Sequence, residues 1–161
     1  MKTTCARRQH GFTLIEALVV IAMIGVLLAL AAPSFVTYTA SQKVKTASFD
    51  LYAALVFARS EAIKRRRDVT VAPVSGDWNL GWTVSTDVGG TPTTLRGQDA
   101  PTGVVVSSVS PSVVYRLDGR LTSAKVGVLI QPQTADASIP NRCVRIDLTG
   151  LPKTTTSGTC P

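Results

Sequence analysis

The sequence contains a single histidine, His10, and it lies in a short basic stretch ahead of a long apolar run. The rest of the chain therefore has no imidazole for acid–base work or for holding a metal. It also has no Gly-x-Ser-x-Gly elbow, no phosphate-binding glycine loop and no cluster of metal ligands. Ser123 and Lys125 are the nearest approach to a Ser–Lys arrangement, and alone they define no catalytic centre. The expectation is a chain that is not an enzyme and that carries neither metal nor cofactor. Cysteine is scarce as well: Cys5, Cys143 and Cys160 are the only three. The long spacing between the last two matches neither a CxxC redox pair nor a four-ligand zinc site. No internal repeat and no long linker interrupts the chain.

Acidic side chains are outnumbered, 10 against 17 basic, for a formal charge of +7 over 161 residues. Lys2, Arg7 and Arg8 all precede Gly11, so loss of that leader would lower the balance to +4. A mildly basic chain permits an anionic partner without demanding one. The same loss would remove Cys5 and resolve an odd cysteine count, which is awkward in an oxidising compartment. Cys143 and Cys160 would then be free to pair with each other, as a clamp on the C-terminal segment.

The apolar run follows the leader in "GFTLIEALVVIAMIGVLLALAAPSF". Between Ala17 and Ala32 no side chain is charged or strongly polar. Phe12 to Phe35 gives 24 residues, about 36 Å as a helix, enough to cross a bilayer core. The basic leader should stay cytoplasmic and the remainder should face outward. Glu16 is the anomaly, because a lone carboxylate at mid-membrane costs roughly 2.5–3.5 kcal/mol. Two readings need no partner for it: an uncleaved one-pass anchor, and a Glu16 held in the headgroup layer. Pro33 cannot donate a backbone hydrogen bond and clashes with the preceding turn, which predicts a kink.

Beyond Pro33, Tyr38, Val44, Ala47, Leu51, Ala54, Leu55, Ala58 and Ala62 recur with mostly three- and four-residue gaps, so the helix should continue with an apolar stripe toward a folded head. Lys43, Lys45, Asp50, Arg59 and Glu61 fall on the other face. The run Lys64, Arg65, Arg66 and Arg67 reads as charge at a helix C-terminus, with an anionic contact as the alternative. After Asp68 the pattern changes to short β-branched runs, "VTVAPV", "GWTVSTD", "GVVVSSV", "SVVYRL" and "VGVLI". Turn formers separate them, including Gly76-Asp77, Gly89-Gly90 and Asp118-Gly119. Gln131–Pro140 reads as a loop. Trp78 and Trp82 read as packing residues, with a base-stacking platform as the alternative. The fold class is α+β: a long N-terminal helix against an antiparallel sheet domain.

Gly11-Phe12-Thr13-Leu14-Ile15-Glu16 resembles the processing site of type IV prepilins and type II secretion pseudopilins. The resemblance implies cleavage after Gly11 by a prepilin peptidase and N-methylation of the new terminus, Phe12. It also implies that Glu16 neutralises the free amine of a neighbouring subunit during assembly, which offsets the cost of a buried carboxylate. In that family helix is often lost between positions matching Gly25 and Pro33. "ARSEAIKRRRDVTV", "DWNLGWTVSTD", "YRLDGRL" and "NRCVRIDLTG" resemble the head of the GspH/FimT branch, whose members include FimT/FimU-like minor pilins. The implied organisation is a cleaved leader at 1–11 and a transmembrane and filament-core helix at 12–35. An amphipathic half-helix follows at 36–67, and a β-rich head with a C-terminal disulfide loop at 68–161. Implied partners are other minor and major pilins or pseudopilins, the prepilin peptidase and an inner-membrane assembly platform. The implied location is the bacterial inner membrane with the head in the periplasm, then the pilus or pseudopilus, with the filament tip as one place. Some FimT-like minor pilins bind DNA through a C-terminal Gly-Arg-x-Arg motif. Here the matching place reads Gly150-Leu151-Pro152-Lys153, with Leu151 and Lys153 where that motif has arginine. Arg142, Arg145 and Lys153 are the candidate contacts to double-stranded DNA. Filament initiation or assembly of a type IV pilus is the first expectation. DNA capture for natural transformation and a role in type II secretion are the alternatives.

Overall fold

A computed structural model describes residues 12–122, 125–134 and 137–160, with backbone but not side chains at 30–33. Gly11 and the rest of the leader therefore lie outside the described residues, as does the side chain of Pro33. The chain divides into two units, split between Val36 and Thr37.

The first unit is helical. Helix α1 runs from Leu14 to Arg65 and so continues into the second unit. Thr13 precedes it, and its Oγ1 accepts the Glu16 N–H at 3.3 Å, satisfying one of the donors that a helix start leaves open. Large apolar side chains from Leu14 to Leu28 are all exposed. Among the described residues no single unbroken helix is long and apolar enough to cross a membrane. Leu14–Ala29 and Ser34–Arg65 pass that test together, by length and composition.

In the second unit α1 buries Val44, Ala47, Leu51, Ala54, Leu55, Ala58 and Ala62, spaced so that they share one face. Most are small, which lets the strands approach the helix closely. Tyr38 does not belong to this stripe. It is exposed, lies a turn and more before the first fully buried position, and accepts a hydrogen bond from Gln42 Nε2 at 2.9 Å instead. Glu61 departs from the expected solvated face and is buried. Arg65 and Lys64 both pair with it, which makes that burial tolerable. The helix ends where Arg66 turns left-handed at φ 52°. The Arg67 N–H then reaches back to the Ala62 carbonyl at 3.3 Å, a Schellman-type closure.

Eight strands follow: β1 Val69–Val74, β2 Asp77–Val88, β3 Thr91–Asp99, β4 Val104–Ser108, β5 Val113–Tyr115, β6 Val126–Pro132, β7 Arg142–Ile146 and β8 Pro152–Thr156. They form two antiparallel four-stranded sheets, β3-β2-β1-β5 and β4-β6-β7-β8. Ser75 and Gly76, both at positive φ, make the β1–β2 turn, so Asp77 opens β2 rather than forming the turn with Gly76. Gly89 and Gly90 make the next hairpin in the same way. Pro73 is tolerated in β1 because β5 reaches only as far as Val71. The core joins the α1 stripe to Val69, Val71, Val84, Val113, Val128, Ile130, Val144 and Ile146. Trp78 and Trp82 lie within it, their ring centroids 6.5 Å apart, which removes them as a surface for stacking bases.

Candidate functional site

Two places carry the chemistry that the sequence points to. At the N-terminal end, Phe12 is exposed and Glu16 stands in the first turn of α1. An acid there is favoured by the partial positive charge of a helix start. Apart from Glu16, the helix surface up to Ala29 is apolar. Gly25 sits within this helix, and a Cβ built on it would touch nothing within 4 Å.

In the second unit, pairing of β7 with β8 decides how the basic residues fall. Arg145 is registered opposite Lys153, so the two share a face of the sheet. Lys125, just before β6, joins them around a cleft of about 310 Å³ that also contains Asp147. Arg142 is an odd number of residues from Arg145 and lies on the opposite face, registered with Thr156. The three candidate DNA contacts are therefore not one patch. Arg145 and Lys153 converge with Lys125, whereas Arg142 stands apart from Arg145 and meets only Lys153, in a groove at the sheet edge. Strand pairing of β6 with β7 brings Lys125 to the cleft, and nothing in the local sequence announces it.

Asp147 offsets part of this positive charge. The Thr149 hydroxyl donates to its carboxylate, the Thr149 N–H does so at 3.2 Å, and Lys153 Nζ lies at 3.7 Å. These contacts, led by the Thr149 hydroxyl, hold the Asp147 carboxyl below its usual range. Gly150 has a structural duty of its own. At φ +78°, a Cβ there would fall 2.0 Å from the Gly119 carbonyl oxygen. The Arg59 Nε donates to that same oxygen at 3.0 Å. The β7–β8 turn is thereby seated on the loop after β5, which bends back through a Tyr115–Leu121 bridge.

Cys143 and Cys160 are joined, with Cα atoms 5.4 Å apart. The bond ties the segment after β8 back onto β7, where Cys143 is fully buried.

A pilin-like architecture is thus defined by the apolar helix and the two-sheet head. A family profile described as "Type II transport protein GspH" matches residues 47–150, and one described as "Prokaryotic N-terminal methylation motif" matches residues 6–32. The chain belongs to the GspH family of pilins and pseudopilins. The type IV minor pilin FimU of Pseudomonas aeruginosa superposes with a TM-score of 0.64 at 21% identity, covering 77% of this chain and 96% of FimU. The minor pseudopilin EpsH of the Vibrio cholerae type 2 secretion system gives 0.60 at 14%, covering 73% and 99%. In sequence, a Pseudomonas aeruginosa fimbrial protein is 37% identical over 81 residues, covering 50% of this chain and 53% of that one. The type IV major pilin protein PilA of Myxococcus xanthus is 34% identical over 88 residues, covering 51% and 40%. The chain thus spans about half the length of the curated relatives it matches, or less.

Proposed function

We propose that this chain is a minor pilin, cut by prepilin peptidase after Gly11 and N-methylated at Phe12, that helps initiate or assemble a type IV pilus. The observation that carries the reading is the run of exposed apolar side chains from Leu14 to Leu28, broken by the one charge of Glu16. Such a surface needs either lipid or the apolar helices of neighbouring subunits. In the membrane Glu16 sits near the headgroups. In a filament it meets the Phe12 amine of a neighbour, and the pair replaces two separate desolvation costs with one neutral contact. Gly25 and Pro33 mark the stretch where helix loosens to fit the bundle. An inner-membrane platform receives the processed subunit, with its head in the periplasm, and minor and major pilins are its neighbours in the filament. The chain acts as a structural subunit and as the peptidase's substrate.

The mass of the native membrane product tests the first step. The expected species begins at methylated Phe12, and a product retaining Met1–Gly11 would refute it. Glu16→Ala should leave the head folded and the chain in the membrane while incorporation into filaments is lost.

A second reading, capture of double-stranded DNA, is favoured by the convergence of Lys125, Arg145 and Lys153. Lysine lacks the planar donor fork of arginine, so binding through this cleft should be weak and steeply salt-dependent. Affinity measured across salt, lost on Arg145→Ala with Lys153→Ala, would promote this reading over assembly. A role in type II secretion is separated by complementation: rescue of secretion but not of piliation in the deletion strain would favour it.

A further inference from the structure

Each sheet has two outer edges, and they are managed differently. At β4 the Val106 N–H is taken by Asn79 Oδ1 at 2.8 Å. At β5 the Thr122 N–H returns to the Val114 carbonyl at 3.0 Å. Strand β3 is open, but its arginine is already engaged, with Arg96 over the Phe57 ring at 5.9 Å. Strand β8 differs from all three. The Ser157 N–H donates to the Asn141 carbonyl at 3.2 Å, which fixes the alternation of the β7–β8 ladder. Thr154 and Thr156 consequently turn their N–H and C=O groups outward, toward an edge that no strand among the described residues fills.

Beside this edge runs the exposed flank of α1. Phe49 and Tyr52 stand there one turn apart, with ring centroids at 6.4 Å. Together with Arg142, Pro152 and Thr154 they line a groove of about 590 Å³. A second hollow of about 320 Å³ continues it along Val56 and Ile63 to Leu151. Phe49 is 72% exposed, a large aromatic surface left in water. Arg142 is half-buried in this groove, and among the described residues its guanidinium has neither an ion pair nor a hydrogen bond. Its guanidinium reaches solvent and is free to take a carboxylate in bidentate fashion.

We propose that the β8 edge and the adjoining flank of α1 receive an extended acidic segment of a partner protein, added as a further strand to the β4-β6-β7-β8 sheet. Its backbone completes the ladder at Thr154 and Thr156. The side chains on its one groove-facing side are apolar where they cover Phe49 and Tyr52, and one among them is a carboxylate that meets Arg142. Charge selects acid, because the other charged residue on this groove is Lys153. A nucleic acid offers phosphate to Arg142 and bases to the aromatics, but it cannot complete a peptide ladder. The free edge is therefore what favours a polypeptide. The groove lies wholly within the second unit, so this inference stands whether or not the leader is cleaved.

The test uses the full chain in detergent and a capped peptide, of the length of β8, whose one face carries valines and a glutamate and whose other face carries threonine. Binding should be measurable and should weaken by about tenfold or more with Arg142→Glu. A peptide of the same sequence carrying N-methyl groups at alternate backbone positions should lose binding to a similar degree, since it cannot form the ladder. That probe leaves the protein untouched and so guards against misfolding in Thr154→Pro, which removes the edge donor. Peptide binding that ignores backbone methylation would overturn the proposal, as would no binding at all. Single-stranded DNA binding more tightly than the peptide, with the same dependence on Arg142, would assign the groove to nucleic acid instead.

Discussion

Between Leu14 and Leu28 the large apolar side chains of α1 are 46–79% exposed, whereas Val44, Ala47, Leu51, Ala54, Leu55, Ala58 and Ala62 of the same helix are at most 3% exposed. The two stretches are both helical and both apolar. They differ in where their partners come from. The later stretch has an apolar stripe matched by two sheets folded from the same chain. The earlier one is, apart from Glu16, apolar all round, and its large apolar side chains are exposed among the described residues. A helix that is apolar on every side is built for surroundings that other molecules supply. The head thus buries its own apolar stripe, while the first helical turns leave theirs exposed, as the proposed assembly role requires.

Truncating a side chain in each stretch gives the largest contrast. Leu51→Ala should destabilise the head by about 2–5 kcal/mol, the usual range for a fully buried leucine. Leu27→Ala should leave the unfolding transition of the detergent-solubilised chain unchanged, because Leu27 is 65% exposed and lies outside the head. Equal effects in thermal unfolding would break the division.

The disulfide sharpens the same point, since it works only within the head. Its two cysteines are separated by 17 in sequence. Closing a loop of that length contributes about 3 kcal/mol in the chain-entropy account. Cys160→Ser should lower head stability by about that amount in denaturant unfolding. It should also loosen the polar segment after β8, visible as faster proteolysis there. A variant as stable as the parent under oxidising conditions would show that the clamp is redundant.

Legibility from sequence follows the same split. The N-terminal motif could be read directly because its meaning lies in order and spacing: glycine, aromatic, then acid inside an apolar run. The α1 stripe was legible from periodicity, and five of the strands from β-branched runs. Strands β3 and β8 carry no such signal. "TPTTLRGQD" and "PKTTT" are edge strands with few buried residues, so no alternation of apolar and polar side chains betrays them. The grouping of Lys125 with Arg145 and Lys153, and the separation of Arg142, depend on strand register, which emerges only from long-range pairing. By resemblance, Gly150 falls where a Gly-Arg-x-Arg motif begins, although Leu151 and Lys153 replace its arginines. In the fold its lack of a side chain is what lets it pass against Gly119.

A smaller effect concerns an imperfection in the head's core. The Tyr115 hydroxyl is buried and finds no hydrogen-bond partner among the described residues. Tyr115→Phe removes an unsatisfied polar group without emptying space, so stability at neutral pH should rise by up to about 1 kcal/mol. Burial raises the Tyr115 pKa above its ordinary value of 10.0, with Arg59 opposing weakly. A raised folded-state pKa means the neutral form belongs to the fold, so stability is full below pH 10 and falls as pH rises above it. The variant should lose that alkaline limb. A destabilised Tyr115→Phe would mean that the hydroxyl has a partner in solution, such as a bound water.

The smallest expected effect lies at the acid end, where the two carboxylates held by basic neighbours are Glu61 and Asp147. Arg65, through its hydrogen bond, is the main cause of the lowered Glu61 pKa, and Thr149 is the main cause at Asp147. Both folded-state values lie below the ordinary 4.5 and 3.8. The sign follows from proton uptake: the unfolded chain binds protons first as pH falls. Each carboxylate's contribution is therefore complete above its ordinary value and is lost as pH drops through its folded-state value. Glu61→Gln with Asp147→Asn should flatten the acid limb of a stability–pH curve while leaving the alkaline limb of Tyr115 intact. The two limbs come from groups that all lie in the head, so Glu16→Gln should move neither. If Glu16→Gln altered the acid limb, the first turn of α1 would be coupled to head stability, and the two stretches of the helix could no longer be treated as independent.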